Sequence, residues 1–439
     1  MNKLLYILVI CTAIITSCQK KEYFPDGTEI SDWFYSNEKI DITNLGKQYV
    51  ITEYGAVNDS TIIQTKIIQA VIDKAAETGG VIIVPRGTFL SGALFFKKGT
   101  HLHVKEGGKI LGSDTIADYP IMDSRMEGQN LQYFPALINA YGVDGFTISG
   151  KGTIDGNGLK YWTAFWNRRK ENPKCTNLEV SRPRLVFIWD CDNVQVQDVK
   201  LHNTGFWTSH YYKCNNVKIL DVHIYAPKDP VPAPSSDAID IDACTDVLIK
   251  GCFMSVNDDA IALKGGKGPW ADQDTNNGPN FRVLIEDCVF GWCHSVITCG
   301  SESIHNRNIL LRNCTVKEAS RLFFLKMRPD TPQKYEYLTI ENVNGNVKNL
   351  VYINPWRQFF DLKGRETPPI SSSENFTIRN LKMNCKNFAV TGKTEYDQLK
   401  NFTFENLEIT TKENKLKPEI FEGLTFNNVF INGELYTLE

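Results

Sequence analysis

The sequence predicts an all-β protein, a right-handed parallel β-helix (a solenoid of stacked coils) with one N-terminal capping helix. Short runs of alternating apolar and polar residues recur along most of the chain, and many share one phrase, as in NVQVQDV at residues 193–199. The stretch 235–266 contains Asp-Ala-Ile twice, beginning at Asp237 and at Asp259, 22 residues apart. Alternation with period two indicates strands, and a repeat in the twenties suits one solenoid coil.

Composition and charge are those of an ordinary globular protein. The chain has 439 residues, 42% of them hydrophobic, and a formal charge of −3. A solenoid of this length can form one unit. The small net charge provides no broad field for attracting a polyanion, so no nucleic-acid partner is expected and an anionic substrate would need local cations. We expect a monomer.

The N-terminus predicts export. Lys3 is followed by an apolar run, residues 4–15, that is too short to span a bilayer. Residues 15–18 then resemble the processing box of bacterial lipoproteins, which would leave a lipid-modified Cys18 as the membrane anchor; an ordinary secretory signal is the alternative. The expected organisation is a lipoprotein signal at 1–17, a tether and lead-in at 18–48, and a catalytic β-helix at 49–439. The protein would then lie in the periplasm or at the cell surface.

The cysteines predict neither a metal site nor an assignable disulfide. Ten of the twelve lie beyond Cys18, and none of these forms a C-x-x-C pair, so we expect no zinc, and no cofactor is indicated. Several recur at equivalent places in successive repeats, which indicates stacked, buried small residues. These are Cys191, Cys214 and Cys244 in one set and Cys252, Cys288 and Cys314 in another.

One amphipathic helix is predicted near the start of the domain. Residues 61–76 carry apolar side chains at helical spacing and end before Gly79-Gly80. Such a helix would cover the open N-terminal end of the solenoid.

Strands dominate the remainder. The apolar runs centre on Leu102, Phe146, Val194, Val217, Val247, Val283, Ile309, Leu338, Phe376, Phe402 and Leu424. From Val194 onward the steps are 23, 30, 36, 26, 29, 38, 26 and 22 residues. A β-propeller is the alternative, but its blades run to about 40 residues or more. The longer steps hold inserted loops, and those at 159–182, 265–281 and 354–369 are expected to form the walls of a cleft.

Three carboxylates in the central stretch are the candidate catalytic groups. Asp258 lies beside Asp259, and Asp237 is expected one coil away, stacked on Asp259. Like charges so close repel, so one must hold a proton more tightly, as an acid/base pair requires. A Ca²⁺ site or solvated ladder positions are the alternatives.

Four short segments, in order, resemble the motifs of the polygalacturonase family of glycoside hydrolases. Residues 235–237 (SSD) resemble its Asn-Thr-Asp, and residues 257–259 (NDD) match its Asp-Asp motif. Residues 293–295 (CHS), with 300–302 (GSE) after them, resemble Gly-His-Gly, and residues 324–326 (FLK) resemble Arg-Ile-Lys. The resemblance covers about residues 50 to 435, with flanking residues departing in three of the four motifs.

The resemblance assigns catalytic roles. Asp258 would be the general acid, and Asp237 with Asp259 would activate water. The family inverts configuration, which requires about 6.5–9.5 Å between acid and base. His294, aligned with Asp259 one coil on, would bias the protonation of the acids.

Five further residues are candidates for substrate binding. Lys326 matches the family's Lys, whereas Phe324 replaces the Arg that holds a uronic carboxylate; Arg328 or Arg321 would compensate. Asn203 and Trp207 lie in a segment that resembles the lining of the sugar site. Lys264 ends the second Asp-Ala-Ile phrase.

The predicted function is inverting, exo-acting hydrolysis of α-galacturonosidic linkages in pectic poly- or oligosaccharides, with a neutral sugar such as rhamnose favoured beside Phe324. A rhamnogalacturonan-type hydrolase and an endo-polygalacturonase are alternatives within the family. A Ca²⁺-dependent pectate-lyase type and a non-catalytic pectic glycan-binding β-helix are alternatives of other classes.

Overall fold

The structure is a computed structural model that describes residues 21–358 and 360–438. The predicted signal and Cys18 lie outside the described residues. In the part of the chain that is described, no helix has both the length and the apolar character needed to cross a bilayer.

The chain forms a parallel β-helix, as predicted, with three sheets around one core. Sheet 1 begins with six short strands: Leu94–Phe96, Ile138–Tyr141, Val186–Trp189, Ser209–Tyr212, Ile239–Asp242 and Asp259–Lys264. Sheet 2 begins with eight: Lys47–Val50, Gly80–Val84, Thr100–Val104, Thr147–Ser149, Asp192–Gln197, Asn215–Leu220, Thr245–Lys250 and Pro279–Glu286. Sheet 3 begins with seven: Asp59–Ile63, Gly87–Ser91, Gly108–Gly112, Thr153–Asp155, Lys200–His202, His223–Tyr225 and Phe253–Ser255.

In the later coils single long strands run through the corners between sheets. These strands are Val289–Cys299, His305–Met327, Lys334–Pro355, Ser371–Thr391 and Asp397–Lys415, with Phe421–Ile431 forming the last turn. Two described pairings are antiparallel hairpins, Met122–Met126 with Gln129–Tyr133 and Phe421–Ile431 with Glu434–Leu435.

The repeat centres predicted from Val194 to Leu424 are in register. Val194 pairs with Val217, Val217 with Val247, and the ladder continues without a slip to Leu424. The polar residue before each centre explains the phrase, because it takes a left-handed conformation at the strand start; φ is 58° at Asn193 and 56° at Asn216. Asn adopts this conformation more readily than other residues with a side chain.

The interior of the coils is apolar and contains the cysteines. All ten cysteines in the described chain are buried and unpaired. Cys214 forms no disulfide bond. Its backbone nitrogen lies 3.4 Å from the sulfur of Cys244 in the next coil. Burial raises the pKa of the Cys214 thiol well above its usual value, so it behaves as an apolar group.

The capping helix spans Thr65–Ala76, shorter than the predicted 61–76. The first predicted residues form the strand Asp59–Ile63 instead, which pairs with Gly87–Ser91. The helix buries Ile68, Val71, Ile72 and Ala75 on the end of the core. A second helix, Leu159–Glu171, was not predicted and lies within the first inserted loop. The remaining described helices are a four-residue helix, Asp32–Tyr35, and the 3₁₀ turns Ile42–Asn44, Ile51–Tyr54, Ile116–Asp118, Asn177–Glu179, Ala271–Gln273 and Pro418–Ile420.

Residues 21–46, interpreted from sequence as part of a tether and lead-in, lie along the outer face of sheet 2; we call this segment the strap. Phe24, Ile30 and Phe34 pack on leucines that point outward. Those leucines form a row across successive coils: Leu248 pairs with Leu284 and Leu284 with Leu310. Polar contacts also join the strap to the coils. An Arg307 guanidinium nitrogen lies 2.9 Å from an Asp26 carboxylate oxygen, and the Gln195 amide donates to the carbonyl of Glu38 at 3.1 Å.

Candidate active site

A polar pocket of about 270 Å³ opens on the outer face of sheet 1, with the three predicted acids in its lining. Asp237 lies two residues before the strand Ile239–Asp242, and Asp258 immediately precedes Asp259–Lys264. The inward positions of these strands are fully buried isoleucines and leucine, which fix the strands and leave the outward positions for charged groups. The sheet therefore supplies a rigid base for the site.

The predicted stacking of Asp237 on Asp259 is present. Ile239, two residues after Asp237, pairs with Ile261, two residues after Asp259. The backbone N–H of Ala238 donates to the carbonyl of Asp259 at 3.0 Å. One oxygen of each of the three carboxylates lies within 4.8 Å of the others. This is closer than the spacing of about 6.5–9.5 Å expected between a general acid and a distant base in inverting enzymes. The distance rule alone does not indicate inversion here.

His294 lies one residue away from its predicted alignment. The ladder pairs Asp259 with Ser295, so His294 stands over Asp258 and donates its backbone N–H to the Asp258 carbonyl at 2.9 Å. Its Nδ1 lies 3.7 Å from an Asp258 carboxylate oxygen. Because successive strand residues point to opposite sides, the one-residue difference decides which acid the ring meets. The ring is about half exposed and lines the pocket.

Two lysines flank the acids. Lys326 Nζ donates to Asp259 at 2.7 Å. Lys264 Nζ lies 3.7 Å from Asp237, 3.6 Å from Asp240 and 3.4 Å from Glu302. Both ammonium groups are nearly buried, so their charges act in a poorly solvated space.

The acids hold protons unequally. Burial, reinforced by Asp258 and Asp240, raises the pKa of Asp237 well above its usual value. Burial also opposes ionisation of Asp258, but His294 and the two lysines outweigh it and lower the pKa of Asp258 to about 2. In the free protein the cluster therefore keeps its proton on Asp237 and leaves Asp258 ionised. The same interaction raises the pKa of His294 despite burial.

The three acids could each offer one oxygen to a cation. The lysine ammonium groups already stand at two sides of this cluster and carry the compensating positive charge. The donor set therefore fits a proton-transfer site better than a Ca²⁺ site, which uses six to eight oxygens.

Arg321 places its guanidinium beside Phe324, which stands where the resembled family motif has an Arg. It lines the pocket, with its guanidinium carbon 4.5 Å from the ring centroid of Phe324 and 4.7 Å from that of Tyr352. Lys326 Nζ lies 5.0 Å from the same Phe324 centroid. The Phe324 ring is 3% exposed and serves as a platform for cations. Little apolar surface remains there for a sugar.

The other sequence candidates are placed differently. Trp207 lines the pocket, buried beneath Lys264, whose Nζ lies 4.6 Å from the ring centroid. Arg328 is buried outside the pocket lining and forms a two-pronged pair with Asp330, both contacts at 2.8 Å. Asn203 also lies outside the lining and donates to Asp155 at 3.1 Å.

Several pocket residues were not singled out from the sequence. Glu127, at the tip of the hairpin, accepts from Asn177 at 2.9 Å and lies 3.8 Å from Lys267. Burial and the charge of Glu302 raise the pKa of Glu127. Burial opposes ionisation of Glu302 as well, but Lys264 and Lys267 hold its pKa well below the usual range. No local pattern marks these residues, because they come from separate loops.

Three loops close one end of the pocket. The hairpin tip at Gly128 is tight against Glu302 and residues 266–267; a Cβ there would lie 2.7 Å from the Glu302 Cβ. The loop after Pro355 adds Trp356 and Gln358 to the lining. It is joined to the loop of residues 265–278 by Arg365, which donates to the Pro269 carbonyl at 2.6 Å.

Comparison with known proteins identifies relatives. The family model described as "Glycosyl hydrolases family 28" matches residues 81–354, more than half of the chain. A "Probable polygalacturonase" of Vitis vinifera is 26% identical over 265 residues, covering 57% of this chain and 51% of its own length. An "Exo-poly-alpha-D-galacturonosidase" of Dickeya chrysanthemi is 26% identical over 322 residues, covering 64% of this chain and 51% of its own.

The chain thus spans about half the length of these two curated relatives. The crystal structure of an exopolygalacturonase from Thermotoga maritima superposes with a TM-score of 0.73 at 23% identity. The superposition covers 89% of this chain and 93% of that one, which shows a common fold.

Proposed function

The chain belongs to glycosyl hydrolase family 28, and on this basis we propose that it hydrolyses α-galacturonosidic bonds in pectic poly- or oligosaccharides. The observation that carries the proposal is the cluster of Asp237, Asp258 and Asp259 at the base of a pocket with cationic groups around it. Such a cluster supplies both the proton donor and the water-activating carboxylates that glycoside hydrolysis needs.

Asp258 acts as the general acid, and Asp237 with Asp259 positions and deprotonates the attacking water. The free protein keeps Asp258 ionised, so the acid must gain a proton when substrate binds. An anionic sugar that also expels water raises the pKa of Asp258, because it adds a like charge and removes solvation. Asp237, whose raised pKa favours its protonated form, has an oxygen within 4.8 Å of an Asp258 oxygen and is the proposed source of that proton.

Arg321 and Trp356 are the proposed ligands of the galacturonate carboxylate. Arg321 Nε and Trp356 Nε1 are buried donors with no hydrogen-bond partner among the described residues, and both side chains line the pocket. A uronate carboxylate would satisfy both donors. Arg321→Gln should lower kcat/KM on galacturonides about 10- to 100-fold, the effect of losing a charge-assisted bond worth about 1.5–3 kcal/mol. Arg328→Gln, outside the pocket lining, is the matched control.

Action from a chain end is supported by the closed end of the pocket. The hairpin tip at Gly128 packs against Glu302 and residues 266–267, and Arg365 joins the other two loops, which supports a closed end beside Glu127 and Glu302. A terminal sugar fits such a pocket, whereas the middle of a polymer would need an open channel.

The test is a product profile on long polygalacturonate, with the anomer of the first product followed by NMR. We expect monomeric galacturonic acid from the earliest times and a slow fall in viscosity, with an inverted anomer. Mixed oligomers at early times would indicate an endo-polygalacturonase. A retained anomer would contradict the role given to water, and an unsaturated product would indicate a lyase.

We also propose that the protein is an exported lipoprotein attached through Cys18. The apolar run at residues 4–15 and the processing box at 15–18 support this. Cys18→Ser should move the protein from the membrane fraction to the soluble fraction, because the lipid would be its only anchor. Membrane association that persists in the variant would contradict the anchor.

A further inference from the structure

A separate cavity, of about 440 Å³, lies on the far side of the wall that closes the catalytic pocket; we call it the outer cavity. Glu127 and Glu302 line the catalytic pocket, whereas Gly128 and Lys267 line the outer cavity. Gly128 packs against Glu302, and Lys267 Nζ lies 3.8 Å from Glu127. The two spaces share none of the described lining residues, so a ligand in the outer cavity leaves the catalytic pocket free.

Trp270 presents its ring at the outer cavity. The side chain is 48% exposed, although the guanidinium carbon of Arg365 lies 5.0 Å from its ring centroid. An exposed Trp forgoes the burial that so large an apolar ring would gain in a core. The exposed part of the ring is a flat apolar surface with a polar surround, the kind of surface that packs on the C–H face of a sugar.

The loop that carries Trp270 is held in place by hydrogen bonds on both sides of the ring. The backbone N–H of Gly268 donates to the Thr331 hydroxyl at 3.0 Å, and the backbone N–H of Ala271 donates to the Gly268 carbonyl at 3.1 Å. The Asn277 amide donates to the Ala271 carbonyl at 2.9 Å. The ring is therefore fixed in its exposed position before a ligand arrives, which lowers the entropy cost of binding.

Two cations beside the ring retain hydrogen-bonding capacity. Lys363 is an exposed residue of the lining, and its ammonium makes no ion pair with the described residues. The Arg365 guanidinium donates one hydrogen bond, to the Pro269 carbonyl at 2.6 Å, and has further N–H groups to offer. Asp274 is the acid of the lining, and the charge of Lys267 is offset by Glu127. The surroundings of Trp270 therefore favour an anionic ligand.

We propose that the outer cavity is a second glycan-binding site, which stacks a uronate ring on Trp270 and pairs the uronate carboxylate with Lys363 or Arg365. The choice of an acidic pectic glycan rests on the proposed function. A chain whose end occupies the catalytic pocket stops at the wall, so the stretch held outside belongs to another part of the polymer or to another chain. Holding the polymer there raises the local concentration of chain ends at the catalytic pocket.

The first test compares kinetics on polygalacturonate and on α-1,4-digalacturonate. Trp270→Ala should raise KM on polygalacturonate about 3- to 10-fold with kcat unchanged, because stacking holds the polymer but takes no part in the reaction. Both constants should stay as in wild type on digalacturonate, which is short and binds in the catalytic pocket. Tyr225→Ala, which truncates another exposed ring, on sheet 3, is the matched control and should behave as wild type on both.

An equal loss on both substrates would place Trp270 in the catalytic machinery and overturn the inference. Unchanged kinetics of Trp270→Ala on polygalacturonate would overturn it as well.

The second test measures binding by affinity electrophoresis in gels that contain polygalacturonate. All proteins carry Asp258→Asn so that the polymer stays intact. Adding Lys363→Gln should weaken binding about 2- to 5-fold, the effect of losing one exposed charge contact. Methyl-esterified polygalacturonate should retard the parent protein less, because its carboxylates are masked. Retardation that neither Lys363→Gln nor esterification changes would overturn the inference.

This readout needs no hydrolysis. A wild-type protein that binds polygalacturonate through Trp270 and Lys363 but releases no galacturonic acid would contradict the proposed function and support the outer site. Hydrolysis without binding in the gel would support the proposed function and overturn the outer site.

Discussion

Asp258 and Asp237 have opposite protonation preferences although they share one cluster. Asp258→Asn keeps the size of the side chain but removes the proton that the leaving oxygen needs. We expect kcat to fall about 10²- to 10⁴-fold on galacturonides, with an unchanged melting temperature, because the carboxylate is partly exposed and outside the core. Steady-state kinetics and thermal melting measure both. Retention of more than about a tenth of the wild-type kcat would remove Asp258 from the acid role.

Asp240 makes stability depend on pH. Neither of its buried carboxylate oxygens has a hydrogen-bond partner among the described residues, and burial, eased by Lys264, raises its pKa to about 8. Between the unfolded pKa, near 3.8, and 8, the folded state retains a proton that the unfolded state releases. The free energy of unfolding therefore falls as pH rises through this window.

Asp240→Asn should remove that fall. The free energy of unfolding at pH 8 minus that at pH 4 should be roughly 1–3 kcal/mol larger in the variant than in wild type. Urea unfolding at several pH values gives the slopes. Asp123→Asn, at an exposed hairpin position, controls for the loss of one carboxylate. Parallel slopes for Asp240→Asn and wild type would show that the buried carboxyl does not control this pH dependence.

The site residues that lie on repeated strands could be predicted from the sequence, whereas those that lie on inserted loops could not. Asp237 and Asp259 were aligned correctly because each begins an Asp-Ala-Ile phrase. His294 was displaced by one residue because its coil lacks the Asp-Ala-Ile phrase, and the ladder sets Ser295 against Asp259 and Ile297 against Ile261. Glu127 had no pattern to mark it, since its role depends on contacts between distant segments, whereas Arg321 was a candidate only as a substitute for the Arg missing at Phe324.

At the scale of elements, the strands were predictable and the insertions were not. The ladder from Val194 to Leu424 follows from a left-handed residue before each centre, which is Asn or Asp in most coils and Arg282, Tyr337 or Gly423 in the others. The helix Leu159–Glu171 buries only Tyr161, Trp162 and Phe165, and its C-terminal half after Trp166 is entirely polar, so it lacks the long apolar stripe that signals a helix.

We expect the strap to detach from the coils without a change in the active site. Phe34→Ala removes a side chain that is 1% exposed and packs on the leucine row. We expect faster hydrogen exchange and proteolysis in residues 21–46, with nearly unchanged kcat, because the strap lies on sheet 2 and the site on sheet 1. A double-mutant cycle with Leu248→Ala should give a coupling of about 0.5–3 kcal/mol. Additive effects, or a loss of activity that parallels strap release, would contradict this independence.

At the scale of the whole molecule, the solenoid depends on its ends. The last turn, Phe421–Ile431, covers the edge of Asp397–Lys415 and folds back as a hairpin with Glu434–Leu435. Removing residues 421–439 would leave the Asp397–Lys415 edge unpaired, with Phe402 and Phe404 losing cover. We expect the shortened chain to aggregate, as seen by sedimentation, whereas removal of residues 433–439 alone should leave it monomeric. A monomeric, equally stable chain ending at 420 would show that the last turn is dispensable.

The strap also determines how the molecule responds to mechanical load. If the protein is held at its N-terminus, a pull enters the chain at residue 21 and acts first on the docked segment, in shear along the row of leucines. Once released, residues 21–46 can extend to at most on the order of 90 Å before any tension reaches the coils. The strap would then be released before the coils, which keep their register.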